Sequence, residues 1–123
     1  MTLRVLMAED EPLAAEVLRE LLMDAGMEVL VAADGQEAVE IAEGGACFDV
    51  LLTDLRMPRL DGRELIRRLR TVRPGLPVVV MTGFVPAEGT RAVQFGHGPL
   101  RLLAKPLMAA LLLQAVQEVA AGS

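Results

Sequence analysis

The chain has 123 residues, of which 53% are hydrophobic and 24% are charged, with a net charge of −5 and one cysteine. This length predicts a single domain with a substantial core, and the hydrophobic content argues against disorder. One cysteine excludes an internal disulfide, no apolar stretch is long enough to span a membrane, and no basic-then-apolar leader opens the chain, so we expect a soluble, cytoplasmic protein.

Charge is unevenly distributed along the chain. Residues 1–54 carry 13 acidic residues and two arginines, whereas residues 55–123 carry ten basic and four acidic residues. Most of the basic residues lie in 56–73, without interleaved aromatic residues on which bases could stack. We therefore interpret them as a solvated or partner-facing helix surface and expect no direct binding of nucleic acid.

The first half of the chain alternates between short apolar runs, which predict buried strands, and the i, i+3, i+4, i+7 pattern of helices. A strand over 3–8 precedes a helix that begins at Pro12 and stops at Gly26. A second strand, 28–33, leads through an Asp34-Gly35 turn into a helix over 36–43.

The second half continues the alternation. A third strand, 49–54, is followed by a loop and by a helix capped at Asp61 that runs to about residue 72. We predict that this helix buries Leu65, Ile66, Leu69 and Val72 and exposes Arg63, Arg67 and Arg70. A fourth strand, 77–82, precedes a segment rich in glycine and proline, 83–99, in which at most a short helix over 87–95 fits. A fifth strand, 101–104, and a helix over 107–121 follow.

Five successive strand–helix units predict an α/β fold, a three-layer sandwich around a five-stranded parallel sheet. A common strand order for such folds is 2-1-3-4-5, which we adopt. That order brings the end of the first strand next to the end of the third, so that Asp10 lies beside Asp54.

Chemically active residues follow four of the predicted strands: Glu9 and Asp10, then Asp54, Thr82 and Lys105. Carboxylates about 4 Å apart repel one another by roughly 4 kcal/mol at an effective dielectric near 20, so a cation must offset them. Hard oxygen ligands favour Mg²⁺, and Lys105, the single lysine beside eleven arginines, is a second cation. Asp54 is then a plausible phosphoryl acceptor, with Thr82 as a hydrogen-bond donor. Taken singly, Asp10 and Asp61 are better explained as helix caps and Asp54 as a turn residue at the end of a strand, but that explanation is much weaker for residues at four successive strand ends.

The chain resembles the receiver domain of two-component response regulators over essentially its whole length, 1–123. The matching segments are 5–12 (VLMAEDEP), 54–58 (DLRMP) with Asp61-Gly62, 81–83 (MTG) and 105–106 (KP). The resemblance implies a flavodoxin-like fold, here with a weak fourth helix.

For the site, the resemblance implies that Asp54 is the phosphoacceptor. Asp10 would be a direct Mg²⁺ ligand, Glu9 a ligand through water, and the carbonyl of Arg56 a further ligand. Thr82 and Lys105 match the signalling hydroxyl and the phosphate-binding lysine. The Lys105-Pro106 peptide bond would be cis.

The implied function is Mg²⁺-dependent transfer of a phosphoryl group from the phosphohistidine of a histidine kinase or a histidine phosphotransfer protein, followed by a conformational signal. Such a domain catalyses only its own phosphorylation and dephosphorylation and is not otherwise an enzyme. The alternative is a degenerate receiver that only binds partners. A phosphatase with an aspartyl intermediate is disfavoured, because Arg56 stands where its second aspartate would be.

Three features depart from the family pattern. Leu102 stands where a tyrosine or phenylalanine usually serves as the switch, so we predict that phosphorylation is read out by ordering of the 83–99 loop. Arg56 and Phe84 occupy positions that tune dephosphorylation, and neither readily positions water, so we predict a long-lived phosphoaspartate.

The last helix is apolar nearly all round over 107–113, which fits either a well-buried helix or a face for a homodimer or a docked domain. The glycine- and proline-rich approach to strand five is similar to receivers fused to hybrid histidine kinases.

Overall fold

Five-residue strands alternate with helices along residues 2–122, which are the residues that the computed structural model describes. The strands are β1 (Arg4–Ala8), β2 (Glu28–Ala32), β3 (Val50–Asp54), β4 (Val78–Thr82) and β5 (Leu100–Ala104). The helices are α1 (Pro12–Asp24), α2 (Gly35–Glu43), α3 (Gly62–Val72) and α4 (Ala109–Ala120), with a 3₁₀ helix at Gly89–Val93. Among these residues, no helix is long and apolar enough to cross a bilayer.

The strands form one parallel sheet in the order β2-β1-β3-β4-β5, which confirms the predicted topology. Both β3 and β4 are buried along their whole length, because parallel sheets are covered on both faces. This explains why the two strands are nearly continuous apolar runs in the sequence.

Alternate residues of the strands enter two separate hydrophobic cores, one on each face of the sheet. Helices α2 and α3 cover the face that carries Leu6, Leu51 and Val80. Helices α1 and α4 cover the face that carries Met7 and Leu52. The three-layer sandwich is therefore confirmed.

Helix α3 corrects two of the predictions from sequence. Arg70, predicted to be exposed, is 1% exposed, whereas Val72, predicted to be buried, is 87% exposed. Arg70 lies one turn after Ile66 on the buried side of the helix, whereas Val72, three positions after the buried Leu69, is the last residue of the helix. The prediction placed Arg70 by residue type and extended the buried stripe too far at Val72.

Arg70 stabilises the irregular segment 83–99 between β4 and β5, where the sequence predicted at most a short helix. Its guanidinium donates hydrogen bonds to the carbonyl oxygens of Leu76, Gln94 and Pro99. Within that segment the only helix described is the 3₁₀ turn at Gly89–Val93, shorter than the 87–95 that we allowed. The weakness predicted for the helix between β4 and β5 is thus confirmed, and a buried arginine supplies hydrogen bonds to this irregular backbone.

The other helices and all five strands begin and end within two residues of the predicted positions. Helix α2 begins at Gly35, and Asp34 is its N-cap, accepting a hydrogen bond from the amide of Glu37. Helix α4 begins at Ala109, two residues later than predicted.

Candidate functional site

The carboxyl ends of β1, β3, β4 and β5 meet at one edge of the sheet, where the predicted site residues lie. Strand register sets their spacing: Ala8 pairs with Thr53, Asp54 with Met81, and Thr82 with Ala104. The amide of Lys105 also donates a 2.8 Å hydrogen bond to the carbonyl of Thr82. Residues distant in sequence are therefore brought together by parallel pairing alone.

Three carboxylates cluster at this edge, from Glu9, Asp10 and Asp54. One oxygen of each lies within 4.8 Å of the others. Glu9 and Asp54 are buried, whereas Asp10 is exposed. Such a set suits Mg²⁺, which prefers a few hard oxygen ligands and retains several waters.

Burial makes the charge on Glu9 costly. It raises the pKa of the Glu9 carboxyl, although the amide of Glu11 and the ammonium of Lys105 both favour the ionised form. The nearby charge of Asp54 raises the pKa of Glu9 further. A cation in the cluster would relieve this cost.

Lys105 bridges two of the carboxylates. Its Nζ donates to Asp54 Oδ2 at 2.5 Å and to Glu9 Oε1 at 3.3 Å. Burial opposes the ammonium charge, but the hydrogen bond to Asp54 and the two carboxylate charges outweigh it and raise the pKa of Lys105. The Lys105-Pro106 peptide bond is cis, as the resemblance implied.

Asp54 is also tied to the loop that follows it. Its Oδ1 accepts a 3.2 Å hydrogen bond from the amide of Arg56, so the Arg56 backbone lies beside the carboxylate. A Cβ at Gly62 would lie 2.1 Å from the carbonyl oxygen of Asp54. Glycine is therefore required where the start of α3 crosses the end of β3.

Thr82 is engaged with its own loop. Its hydroxyl donates to the carbonyl of Phe84 and accepts from the amide of Phe84, both at 3.0 Å. The Phe84 ring, 72% exposed, lies 5.1 Å from the guanidinium of Arg56. A pocket of about 300 Å³ is lined by these residues and their neighbours: Asp54, Arg56, Thr82, Gly83, Phe84 and Lys105.

Leu102, in the position of the usual aromatic switch, is half-buried and packs against the core on the α2–α3 side. An aliphatic side chain therefore lies where the family pattern has a ring.

The sequence prediction missed an ion pair beside the site. Arg59, with φ +66°, makes two hydrogen bonds to the carboxylate of Asp34. Asp34-Gly35 was interpreted only as a turn, and Asp34 and Arg59 are 25 positions apart, so the sequence holds no local signal that could pair them.

Known proteins resemble this chain in sequence and in structure. The family model for the response regulator receiver domain matches residues 5–117. The chain is 41% identical over 104 residues to the response regulator receiver protein Anae109_2439 of Anaeromyxobacter sp. strain Fw109-5, covering 85% of this chain and 43% of that protein. It is 33% identical over 126 residues to the sensory/regulatory protein RpfC of Xanthomonas campestris, covering 99% of this chain and 17% of that protein.

Among solved structures, chemotaxis protein CheY4 of Vibrio cholerae superposes with a TM-score of 0.87 at 30% identity, covering 97% of this chain and 99% of that chain. The chain spans less than half the length of the two curated relatives.

Proposed function

Because this chain belongs to the response regulator receiver family of two-component signalling, we propose that Asp54 accepts a phosphoryl group from a phosphohistidine and that the domain signals by changing conformation. The observation that carries this proposal is the meeting of three carboxylates and one lysine at the carboxyl edge of the sheet. The degenerate, partner-binding alternative is less favoured, because both the acidic cluster and Lys105 are present.

The residues that would hold Mg²⁺ are Asp10, Asp54 and the Arg56 carbonyl, with Glu9 acting through water. When bound, Mg²⁺ supplies positive charge that offsets the carboxylates and the oxygens of the transferred group. The remaining catalytic contributions come from the chain itself.

In the transfer, a carboxylate oxygen of Asp54 forms a bond to phosphorus while the phosphorus–nitrogen bond of the donor breaks. The electron pair of that bond returns to the imidazole nitrogen, which takes a proton from water. Lys105 already contacts Asp54 Oδ2, and its ammonium would exchange that contact for an oxygen of the arriving group. Catalysis of this kind depends on positioning and on charge neutralisation.

Thr82 would connect the phosphoryl group to the 83–99 loop. To donate its proton to a phosphoryl oxygen, the hydroxyl must give up its donation to the carbonyl of Phe84. This supports a readout through the loop, since Leu102 offers no ring to rotate.

An apolar surface beside the site would receive the phosphodonor, a histidine kinase or a histidine phosphotransfer protein. Leu13 and Val17 of α1 are 77% and 65% exposed, and Met108 and Leu111 at the start of α4 are 66% and 50% exposed. The exposed apolar side chains at Met108 and Leu111 therefore lie at the N-terminal end of the last helix, whereas Val116, farther along the helix, is buried. A homodimer or a docked domain could use the same surface. We propose a cytoplasmic location, as expected for a partner of such kinases, and no direct contact with nucleic acid.

The test is incubation with acetyl phosphate and Mg²⁺, followed by intact mass measurement. We expect the mass gain of one phosphoryl group in the wild type, none after Asp54→Asn, and none when Mg²⁺ is chelated. Asp61→Asn is the matched control, because asparagine also caps helices and should preserve labelling. A folded wild type without mass gain would support the degenerate reading, and labelling of Asp54→Asn would overturn the assignment of the acceptor.

A further inference from the structure

The loop between β3 and α3 is held on the N-terminus of α2 by an ion pair with two parallel hydrogen bonds. Arg59 Nε lies 2.8 Å from Asp34 Oδ2, and Arg59 Nη2 lies 3.1 Å from Asp34 Oδ1. The two-point geometry is the strong form of an arginine–carboxylate pair. The two hydrogen bonds fix the orientation of the Arg59 guanidinium as well as its distance from the Asp34 carboxylate.

Asp34 is a rigid partner for Arg59. Its side chain is 12% exposed, and Oδ1 also accepts the 2.8 Å N-cap hydrogen bond from the amide of Glu37. The pairing lowers the pKa of Asp34, with the Arg59 hydrogen bond as the largest cause. Loose surface pairs contribute little, but here one partner is already immobilised by the helix.

The backbone at Arg59 shows that the loop conformation needs an external support. A φ of +66° lies in the left-handed region, which is unfavourable for a non-glycine residue and persists only when surrounding contacts enforce it. The next residue, Leu60, provides a second contact, since a Cβ at Gly35 would lie 2.1 Å from its carbonyl oxygen.

The same loop carries the backbone of the proposed metal site. The amide of Arg56 donates to Asp54 Oδ1, and the amide of Gly62 closes the loop by a 2.9 Å bond to the carbonyl of Leu55. A shift at Arg59 would move the Arg56 carbonyl relative to Asp54, because both lie in the same short loop, although the hydrogen bonds of Arg59 within residues 2–122 go to Asp34.

We propose that Arg59, through its ion pair with Asp34, is a positioning residue that sets the affinity of the Asp54 site for Mg²⁺ by fixing the loop that presents the Arg56 carbonyl. This inference rests on the proposed function, because it assumes that the site binds Mg²⁺. It adds a residue that lies outside the cluster of Glu9, Asp10, Asp54 and Lys105.

The test measures Mg²⁺ affinity by calorimetric titration without any phosphodonor. We expect Arg59→Ala to raise the Kd about tenfold, which corresponds to about 1.4 kcal/mol. Arg59→Gly relieves the φ strain but also removes the ion pair, so it should raise the Kd for Mg²⁺ by as much as Arg59→Ala does. Arg59→Lys should be intermediate, since an ammonium retains the charge without the two-point geometry.

Arg67→Ala is the matched control, because it breaks an exposed ion pair with Glu64 on α3 and should change the Kd by less than twofold. Urea midpoints for every variant verify folding, and amide exchange over 55–61 should rise in Arg59→Gly but not in Arg67→Ala. Wild-type affinity in Arg59→Gly and Arg59→Ala would overturn this inference and leave the proposed function intact. Absence of Mg²⁺ binding by the wild type would overturn both.

Discussion

Replacement of Arg70 by methionine tests the interpretation that one buried arginine stabilises the irregular segment between β4 and β5. Methionine keeps much of the length of the side chain and stays apolar, so α3 retains its packing while the donors disappear. The guanidinium makes four hydrogen bonds, with distances of 3.1 and 2.7 Å to Leu76, 2.5 Å to Gln94 and 2.9 Å to Pro99.

The expected loss is a balance of two opposing effects. The carbonyls of Leu76 and Gln94 lose their donor, at about 1–3 kcal/mol for each acceptor left unpaired, whereas that of Pro99 keeps a 3.0 Å hydrogen bond from the amide of Val78. Against this, Arg70 has no carboxylate partner among residues 2–122, and its buried guanidinium carries a desolvation cost of several kcal/mol, which methionine avoids. The same burial lowers the pKa of Arg70. Local rearrangement should also let water reach some of the freed carbonyl oxygens, which reduces the loss. We therefore expect a net destabilisation of about 3 kcal/mol.

Urea unfolding measures this loss. A destabilisation of about 3 kcal/mol lowers the midpoint by roughly 1–2 M if the slope stays near 2 kcal/mol/M. Arg67→Met, on the exposed face of the same helix, is the control and should shift the midpoint little. Amide exchange should accelerate selectively over 94–99. A midpoint for Arg70→Met equal to that of the control would refute the reasoning, because the carbonyls would then need no buried donor.

Three shorter predictions concern the site. Mg²⁺ at a hundredfold excess over its Kd adds about 2.7 kcal/mol to the free energy of unfolding, so it should raise the Tm of the wild type by several degrees but not that of Asp54→Asn. Equal shifts in both proteins would show that Mg²⁺ binds elsewhere. Phosphorylated wild type should persist for minutes or longer, because the side chains of Arg56 and Phe84 are poorly suited to positioning an attacking water, and Phe84→Ala should shorten that lifetime; a wild-type half-life of seconds contradicts this. Beryllofluoride should slow amide exchange over 83–99, an effect that Thr82→Ala should weaken, and unchanged exchange in the wild type would exclude a readout through this loop.

The fold and the main site follow from local features of the sequence. The strands β3 and β4 are apolar along their whole length because both faces of a parallel sheet are covered, and that pattern is visible without a structure. Polar residues that end such strands must meet at one edge once the strands are parallel. This is why Asp10, Asp54 and Lys105 could be grouped from the sequence, and the structure does place them together.

Tertiary structure decided the features that depend on contacts between distant segments. Arg70 was predicted to be exposed because it is an arginine on an amphipathic helix. It is buried instead, and its guanidinium donates to backbone carbonyls as far as 29 residues away in the sequence. The Arg59–Asp34 pair joins two loops, and no periodicity or motif encodes it. Hydrophobic periodicity reports which face of an element is covered, whereas the pairing of polar groups depends on where irregular backbone leaves donors and acceptors unpaired, and only the folded chain determines that.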